Sequence, residues 1–180
     1  MDTFGNINKK YTKLAIFDFD GTLLDTPLPE FGKKEYQEKT GKVWPFPGWW
    51  GRALSLDMSI FDMPTVPMVM TAYEKEKENP HTCMVMLTGR MVELRDNVKE
   101  ILDAKELTFD EYHFNRGGST ETAKMKTMGK LLEKYPTVKS IEMWDDRIEH
   151  IPIFQAWGDN LVETGRLEEF KINVVPADRH

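Results

Sequence analysis

The chain has 180 residues, 40% hydrophobic and 30% charged, with a net charge of −6, which fits one soluble globular domain with a substantial core. The acidic balance argues against a broad, non-specific nucleic-acid surface while leaving room for a small basic groove. Cys83 is the lone cysteine, which excludes an internal disulfide and a cysteine-based zinc site.

The opening stretch, MDTFGNINKKYTK, lacks the apolar segment of a signal peptide, and no apolar run is long enough to span a bilayer. The expectation is a cytoplasmic protein with no membrane segment. KLAIFDF (13–19) is a short apolar run before a Gly-Thr turn and predicts a buried strand. Residues 25–80 then break any simple rhythm, being rich in proline and holding VWPFPGWW with Trp44, Trp49 and Trp50. Connections of this length are functional or disordered, and three tryptophans oppose disorder. The segment reads as a small cap inserted within a single domain spanning 1–180, closed by a helix within 67–80.

HTCMVMLTGR (81–90) repeats the plan of an apolar strand followed by Thr-Gly. A helix with an irregular apolar face is predicted from Met91 to about Ala104, and a third short strand at 111–115. Ser119 or Thr120 caps a helix running to Tyr135, with Pro136 just beyond it. VKSIEMW (138–144) predicts a strand ending in Asp145-Asp146, followed by a helix from Ile148 to Trp157 and a last strand, KINVVP (171–176). This alternation predicts an α/β fold: a three-layer, Rossmann-like core with a mostly parallel sheet and helices on both faces. Ligands of such sheets bind beyond the carboxyl ends of the strands. The polar clusters after the strands are therefore expected at one edge.

Asp18 and Asp20 end the first strand two residues apart, so their side chains share one side. Adjacent buried carboxylates are costly unless something positive faces them. Phosphoryl transfer by a carboxylate makes matching demands. Repulsion between anions must be removed by Mg²⁺ and a fixed cation, the phosphoryl oxygens need donors, and an acid must protonate the leaving oxygen. The chain offers a candidate for each in four places: Asp18 with Asp20, Thr88 with Gly89, Lys124, and Asp145 with Asp146.

In that order DFDGT, LTGR, STETAKMK and WDDR resemble motifs I to IV of the haloacid dehalogenase (HAD) superfamily, covering about Lys13 to Trp157. TPLP, PGWW, LTGR, TETAK and DDRIEHIPIF are similar to the Swiss-army-knife RNA-repair-related branch, and to the phosphatase half of polynucleotide kinase-phosphatases. The resemblance implies a HAD core and a Mg²⁺-dependent phosphomonoesterase working through an aspartyl-phosphate on Asp18. It implies Asp20 as general acid and base, its backbone carbonyl also binding metal. Thr88 and Gly89 would hold the phosphoryl group, Lys124 would tie it to Asp18, and Asp145 with Asp146 would complete the Mg²⁺ shell. An acid at position 20 implies a phosphatase or phosphotransferase rather than a dehalogenase.

Several readings stay open at this level. Lys126 replaces Lys124 if the helix starts differently. Arg90 and Arg116 each either bind substrate phosphate or form exposed salt bridges. Asp25 reads as a turn or cap residue, and His150 as structural. The three tryptophans stack a nucleobase or, for at least two of them, form the cap's own core. The substrate is a nucleotide, another phosphorylated small molecule, or a terminal phosphate on nucleic acid. Alternatives are a catalytically silent binding module and a subunit of an RNA-repair complex with a partner protein. No G-x-x-x-x-G-K-[ST] loop is present, so no P-loop kinase half is expected.

Overall fold

The computed structural model describes residues 10–176. The absence of a signal-like segment was read mostly on residues 1–9, which lie outside the described residues. Strand β1 (Lys13–Phe17) occupies the centre of a five-stranded sheet. The others are β2 (Thr82–Met91), β3 (Glu111–Asn115), β4 (Ser140–Asp145) and β5 (Glu169–Val174). Their order is β3-β2-β1-β4-β5, and every neighbouring pair is parallel. Central strands buried on both faces need continuous apolar runs, which β1 and β2 supply.

Five helices cover the sheet and its insertion: α1 (Pro29–Thr40), α2 (Pro67–Lys77), α3 (Arg95–Ala104), α4 (Thr120–Lys134) and α5 (Ile151–Glu163). Strand alternation divides the core in two. Ala15 and Phe17 pack with Val69 and Tyr73 of α2 and Val98, Ile101 and Leu102 of α3. Leu14 and Ile16 pack with Met128, Leu131 and Leu132 of α4 and Phe154 of α5. Asp18, next in the register of Leu14 and Ile16, is thereby aimed toward α4. Among the described residues, no helix is long and apolar enough to cross a membrane.

Several boundaries differ from the sequence reading, each for a physical reason. Helix α3 starts at Arg95 and not at Met91, because Met91 still pairs with Asn115 in the sheet and 92–94 form a 3-10 turn. Helix α5 likewise starts at Ile151, after a 3-10 turn at 148–150. Helix α1 was not predicted, because its polar sequence buries only Gly32 and Tyr36. Pro29 starts it and Gly41, at φ 73°, ends it in the left-handed conformation. Helix α5 continues past Trp157 to Glu163, since Gly158 is a packing residue and not a stop: a Cβ there would lie 2.1 Å from the Phe170 ring. Strand β5 starts at Glu169, two residues early, because Glu168 N–H already reaches the Lys139 carbonyl at 2.7 Å.

The insertion leaves the sheet through a neck. Leu24 pairs antiparallel with Thr65, Asp25 N–H donates to the Pro64 carbonyl (2.7 Å), and Val66 N–H donates to the Leu23 carbonyl (3.2 Å). Inside it Trp49 lies 4.6 Å from Trp44 and 5.4 Å from Phe61 between ring centroids, and Trp44 Nε1 donates to the Gly48 carbonyl. Trp44 and Trp49 are 8% and 4% exposed, while Trp50 is 39% exposed. Two tryptophans therefore form the insertion's core and the third, Trp50, stays outside it.

Gly32 of α1 lies against Trp49 so closely that a Cβ would stand 2.1 Å from its ring. Gly32→Ala is expected to lower stability in urea by about 1–3 kcal/mol through overpacking, despite alanine's better helix propensity. Gly129→Ala in α4, where a Cβ meets nothing within 4 Å, should stabilise by up to about 1 kcal/mol. Equal midpoints for the two variants would contradict the packing of Trp49 on α1.

Candidate active site

The turn after β1 builds the first part of the site. Asp18 N–H still bonds the Trp144 carbonyl of β4 at 3.1 Å, so residue 18 is held in the ladder's line. Leu23 N–H then reaches back to the Asp18 carbonyl and Leu24 N–H to that of Phe19, both five residues behind, with Gly21 at φ 74°. This is a single wide, π-like turn, and glycine suits its left-handed residue. It keeps Phe19 in the core and leaves Asp18 and Asp20 at the sheet's carboxyl edge.

Strand β2 delivers Thr88, Gly89 and Arg90 beside them. Thr88 Oγ1 accepts from Arg90 N–H at 3.0 Å. Gly89 has no room for a side chain, since a Cβ would stand 2.7 Å from Thr120 at the start of α4. The helix end can thus approach the strand end. Ser119 caps α4, its hydroxyl accepting from Thr122 N–H.

Lys124 follows one turn into α4. Its Nζ donates to Asp18 Oδ1 at 3.0 Å and to Asp145 Oδ2 at 2.8 Å, and all three side chains are buried. Lys126 is exposed and faces elsewhere, so Lys124 is the lysine at the site. Asp145 ends β4, its Oδ1 accepting from Arg147 N–H, and Asp146 turns into the cleft. Ligand oxygens of Asp18, Asp145 and Asp146 lie within 4.8 Å of one another.

Charge in this cluster is one-sided. Burial pushes the Asp18 carboxyl well above its usual range; Lys124 opposes the rise, and Asp145, Asp146 and Asp20 add to it. Burial alone would depress Lys124, but Asp18 and Asp145 hold its ammonium above the ordinary lysine value. Three carboxylates face one ammonium, an excess of hard anionic oxygen that suits a divalent cation such as Mg²⁺.

Asp20 is held differently. Arg90 grips it with two bonds, Nε to Oδ2 and Nη2 to Oδ1, both 2.8 Å, and Thr26 donates to Oδ1 at 2.7 Å. Arg90 Nη1 then donates to the Trp50 carbonyl (2.7 Å) and to Ser55 Oγ (2.8 Å), both in the insertion. Its guanidinium carbon also lies 5.0 Å from the Trp50 ring centroid. The arginine is thus a buried strut joining Asp20 to the insertion. Sequence reasoning missed Thr26 and Ser55, because hydroxyls this common carry no pattern. Thr120 was legible only as a cap.

These residues wall one cavity of about 350 Å³, lined by Asp18, Asp20, Thr88, Gly89, Lys124 and Asp146, with Trp50 and Leu28 on the insertion side. Arg90 lines it too. Arg116 does not; it lies in a separate groove beside β3. His150 sits 3.7 Å from Glu121, packs edge-on to Phe154 and does not line the cleft.

A parallel α/β sheet with an aspartate after its first strand and a helix lysine facing it defines a HAD-like domain. The chain belongs to HAD domain family 1 in Swiss Army Knife RNA repair proteins, whose model matches residues 42–180. It is 28% identical over 188 aligned residues to the uncharacterized protein YMR265C of Saccharomyces cerevisiae, covering 92% of this chain and 41% of that protein. The chain thus spans well under half of that relative's length.

Among solved structures it is similar to a chain of a Pnkp1/Rnl/Hen1 complex (TM-score 0.58, 14% identity), covering 98% of this chain and 48% of that one. The HAD domain of the Legionella pneumophila effector Lem4, an inactive mutant, matches at a TM-score of 0.52 and 11% identity, over 95% of this chain and 89% of that domain. A haloacid dehalogenase-like hydrolase of Streptococcus pneumoniae matches at 0.51 and 10%, over 89% and 93%. At these identities the likeness is one of fold.

Removing the ammonium should expose the imbalance directly. Lys124→Met leaves its buried carboxylates uncompensated, and stability in EDTA is expected to fall by about 3 kcal/mol or more. Added Mg²⁺ should restore part of it. Unchanged thermal unfolding, with and without Mg²⁺, would contradict the charge account.

Proposed function

We propose that the protein is a Mg²⁺-dependent phosphomonoesterase acting through an aspartyl-phosphate on Asp18. The observation that carries the reading is Lys124 Nζ bridging Asp18 and Asp145 in the wall of a cleft also lined by Thr88, Gly89 and Asp20. Family membership supports phosphatase-type chemistry in general.

Asp18, Asp145 and Asp146 would hold the ion through their side chains, and Asp20 through its backbone carbonyl. When bound, Mg²⁺ supplies the positive charge that lets a carboxylate approach a phosphate. Asp18 attacks phosphorus; the bond from its Oδ to phosphorus forms as the ester P–O bond breaks. Asp20 gives its proton to the leaving oxygen. Water then attacks the acyl phosphate while Asp20 takes the water's proton, which releases inorganic phosphate and regenerates Asp18. Thr88 Oγ1, Gly89 N–H and the first N–H groups of α4 are donors for the phosphoryl oxygens. Lys124 neutralises the nucleophile and the transferring group together.

Asp20 can serve as acid only by exchanging an Arg90 or Thr26 contact for the leaving oxygen. Because Arg90 also holds Trp50 and Ser55, the insertion acts in this reading as a cap whose position and the acid's freedom are linked. Arg90 then positions Asp20 rather than binding substrate. The substrate class is a nucleotide or a nucleic-acid terminal phosphate, supported by the RNA-repair description of the family. A partner protein in RNA repair belongs to the same proposal, supported by the likeness to a chain of a three-component complex. So does a cytoplasmic setting, supported by the single, buried cysteine.

Phosphate release separates the roles. Asp18→Asn should abolish release from aryl and alkyl phosphates alike. Asp20→Asn should slow alkyl phosphates by about 10²–10⁴-fold, the worth of acid catalysis, and aryl phosphates, whose leaving groups need less protonation, far less. Equal losses on both substrates would remove Asp20 from the acid role, and full activity of Asp18→Asn would remove the mechanism.

A further inference from the structure

The groove that holds Arg116 reverses the charge of the rest of the molecule. It is a cavity of about 550 Å³ running along β3, the edge strand of the sheet, between α3 and α4. Arg95 and Lys99 line it from α3, Lys126, Lys130 and Lys134 from α4, and Arg116 from the end of β3. Each helix places its cations four residues apart, hence along one face. The rise from one lysine to the next on α4 is about 6 Å, four residues at helical pitch.

Glu111 is the one acidic side chain in the lining, and Lys134 (2.7 Å), His113 (2.9 Å) and the Tyr135 hydroxyl already surround it. Among the described residues Arg95 pairs only with Asp96, exposed and at 3.9 Å, and Lys99 lies over the Tyr112 ring at 4.6 Å. Arg116, Lys126 and Lys130 form no ion pair among the described residues. Six cations against one engaged carboxylate, in a chain of net charge −6, make the groove locally positive. Half-buried Tyr112 and Phe114 add aromatic surface between the two charged rows.

The position of the groove gives it a direction. Val92 and Arg116 line the groove, while Met91 and Thr120, close to them in the chain, line the Asp18 cleft. The groove thus opens beside the carboxyl edge of the sheet and continues down the edge strand away from it.

We propose that this groove binds the sugar-phosphate backbone of a single nucleic-acid strand whose terminus enters the Asp18 cleft. Spaced cations along a shallow channel match a chain of phosphates, and the aromatic pair offers stacking to bases. The proposal rests on the phosphatase reading only for the strand's direction, not for its binding.

The test uses the full chain and labelled single strands of RNA and of DNA, about 15 nucleotides long and free of terminal phosphate, followed by anisotropy across salt concentration. Affinity should fall steeply with salt, with a slope of about −0.7 per phosphate contacted. Lys99→Glu/Lys130→Glu, one reversal on each helix, should weaken binding at least about tenfold and flatten the slope by about 1.4. The same double variant should keep native phosphate release from an aryl phosphate. Lys33→Glu/Lys34→Glu on α1 should bind as the native chain does. Native affinity in the groove variant would overturn the proposal, as would salt-independent binding, or displacement of the strand by polyglutamate at equal charge, which would mark an acidic protein surface instead. Binding without any phosphatase activity would sink the catalytic reading and leave the groove standing; activity without salt-sensitive binding would do the reverse. RNA against DNA then identifies the polymer.

Discussion

One buried ammonium organises this molecule. Lys124 ties the carboxylate after β1 to the one that ends β4, and it does so from the helix that follows β3. Three separate βα units therefore meet at a single nitrogen. Without that cation, or a metal in addition to it, the sheet edge would have to keep Asp18, Asp145 and Asp146 together in a place too dry for three negative charges. The local backbone serves the same end. The wide turn at Asp18 to Leu24, the side-chain-free contact of Gly89 with Thr120, and the Ser119 cap each bring one strand or helix end to the ammonium.

A second arginine-centred contact extends the order outward. Arg90 is covalently part of the strand that carries Thr88, yet it holds Asp20 and two atoms of the insertion. The core and the insertion are thus joined by a charge-assisted network as well as by the hairpin neck at Leu24 and Thr65. Trp44 and Trp49 give the insertion its own packing, which frees Trp50 to face the cleft. The cleft is therefore walled in part by side chains outside the four motifs, Trp50 and Leu28 among them.

Much of this was legible beforehand. Apolar runs at 13–19 and 81–90 located β1 and β2, and the polar clusters behind the strands do converge at one sheet edge. What escaped did so for identifiable reasons. Helix α1 buries too little to show a helical period, and Gly158 resembles a helix stop until Phe170 is seen against it. Arg90 gave no hint that its partner was Asp20, 70 positions away. The separation of Arg116 from the cleft, and the basic groove it shares with α3 and α4, required the third dimension, because the cations come from three elements that alternate with acidic residues in sequence.

The central claim is that Asp18 acts as a nucleophile rather than as a metal-binding bystander. The direct measurement is borohydride trapping during turnover of a phosphorylated substrate, followed by peptide mass spectrometry. Reduction of an acyl phosphate converts the aspartate that carried it to homoserine. The account predicts homoserine at position 18 and at no other aspartate, and only when substrate and Mg²⁺ are both present. Phosphate release with Asp18 recovered intact, or homoserine at Asp20, Asp145 or Asp146, would contradict it.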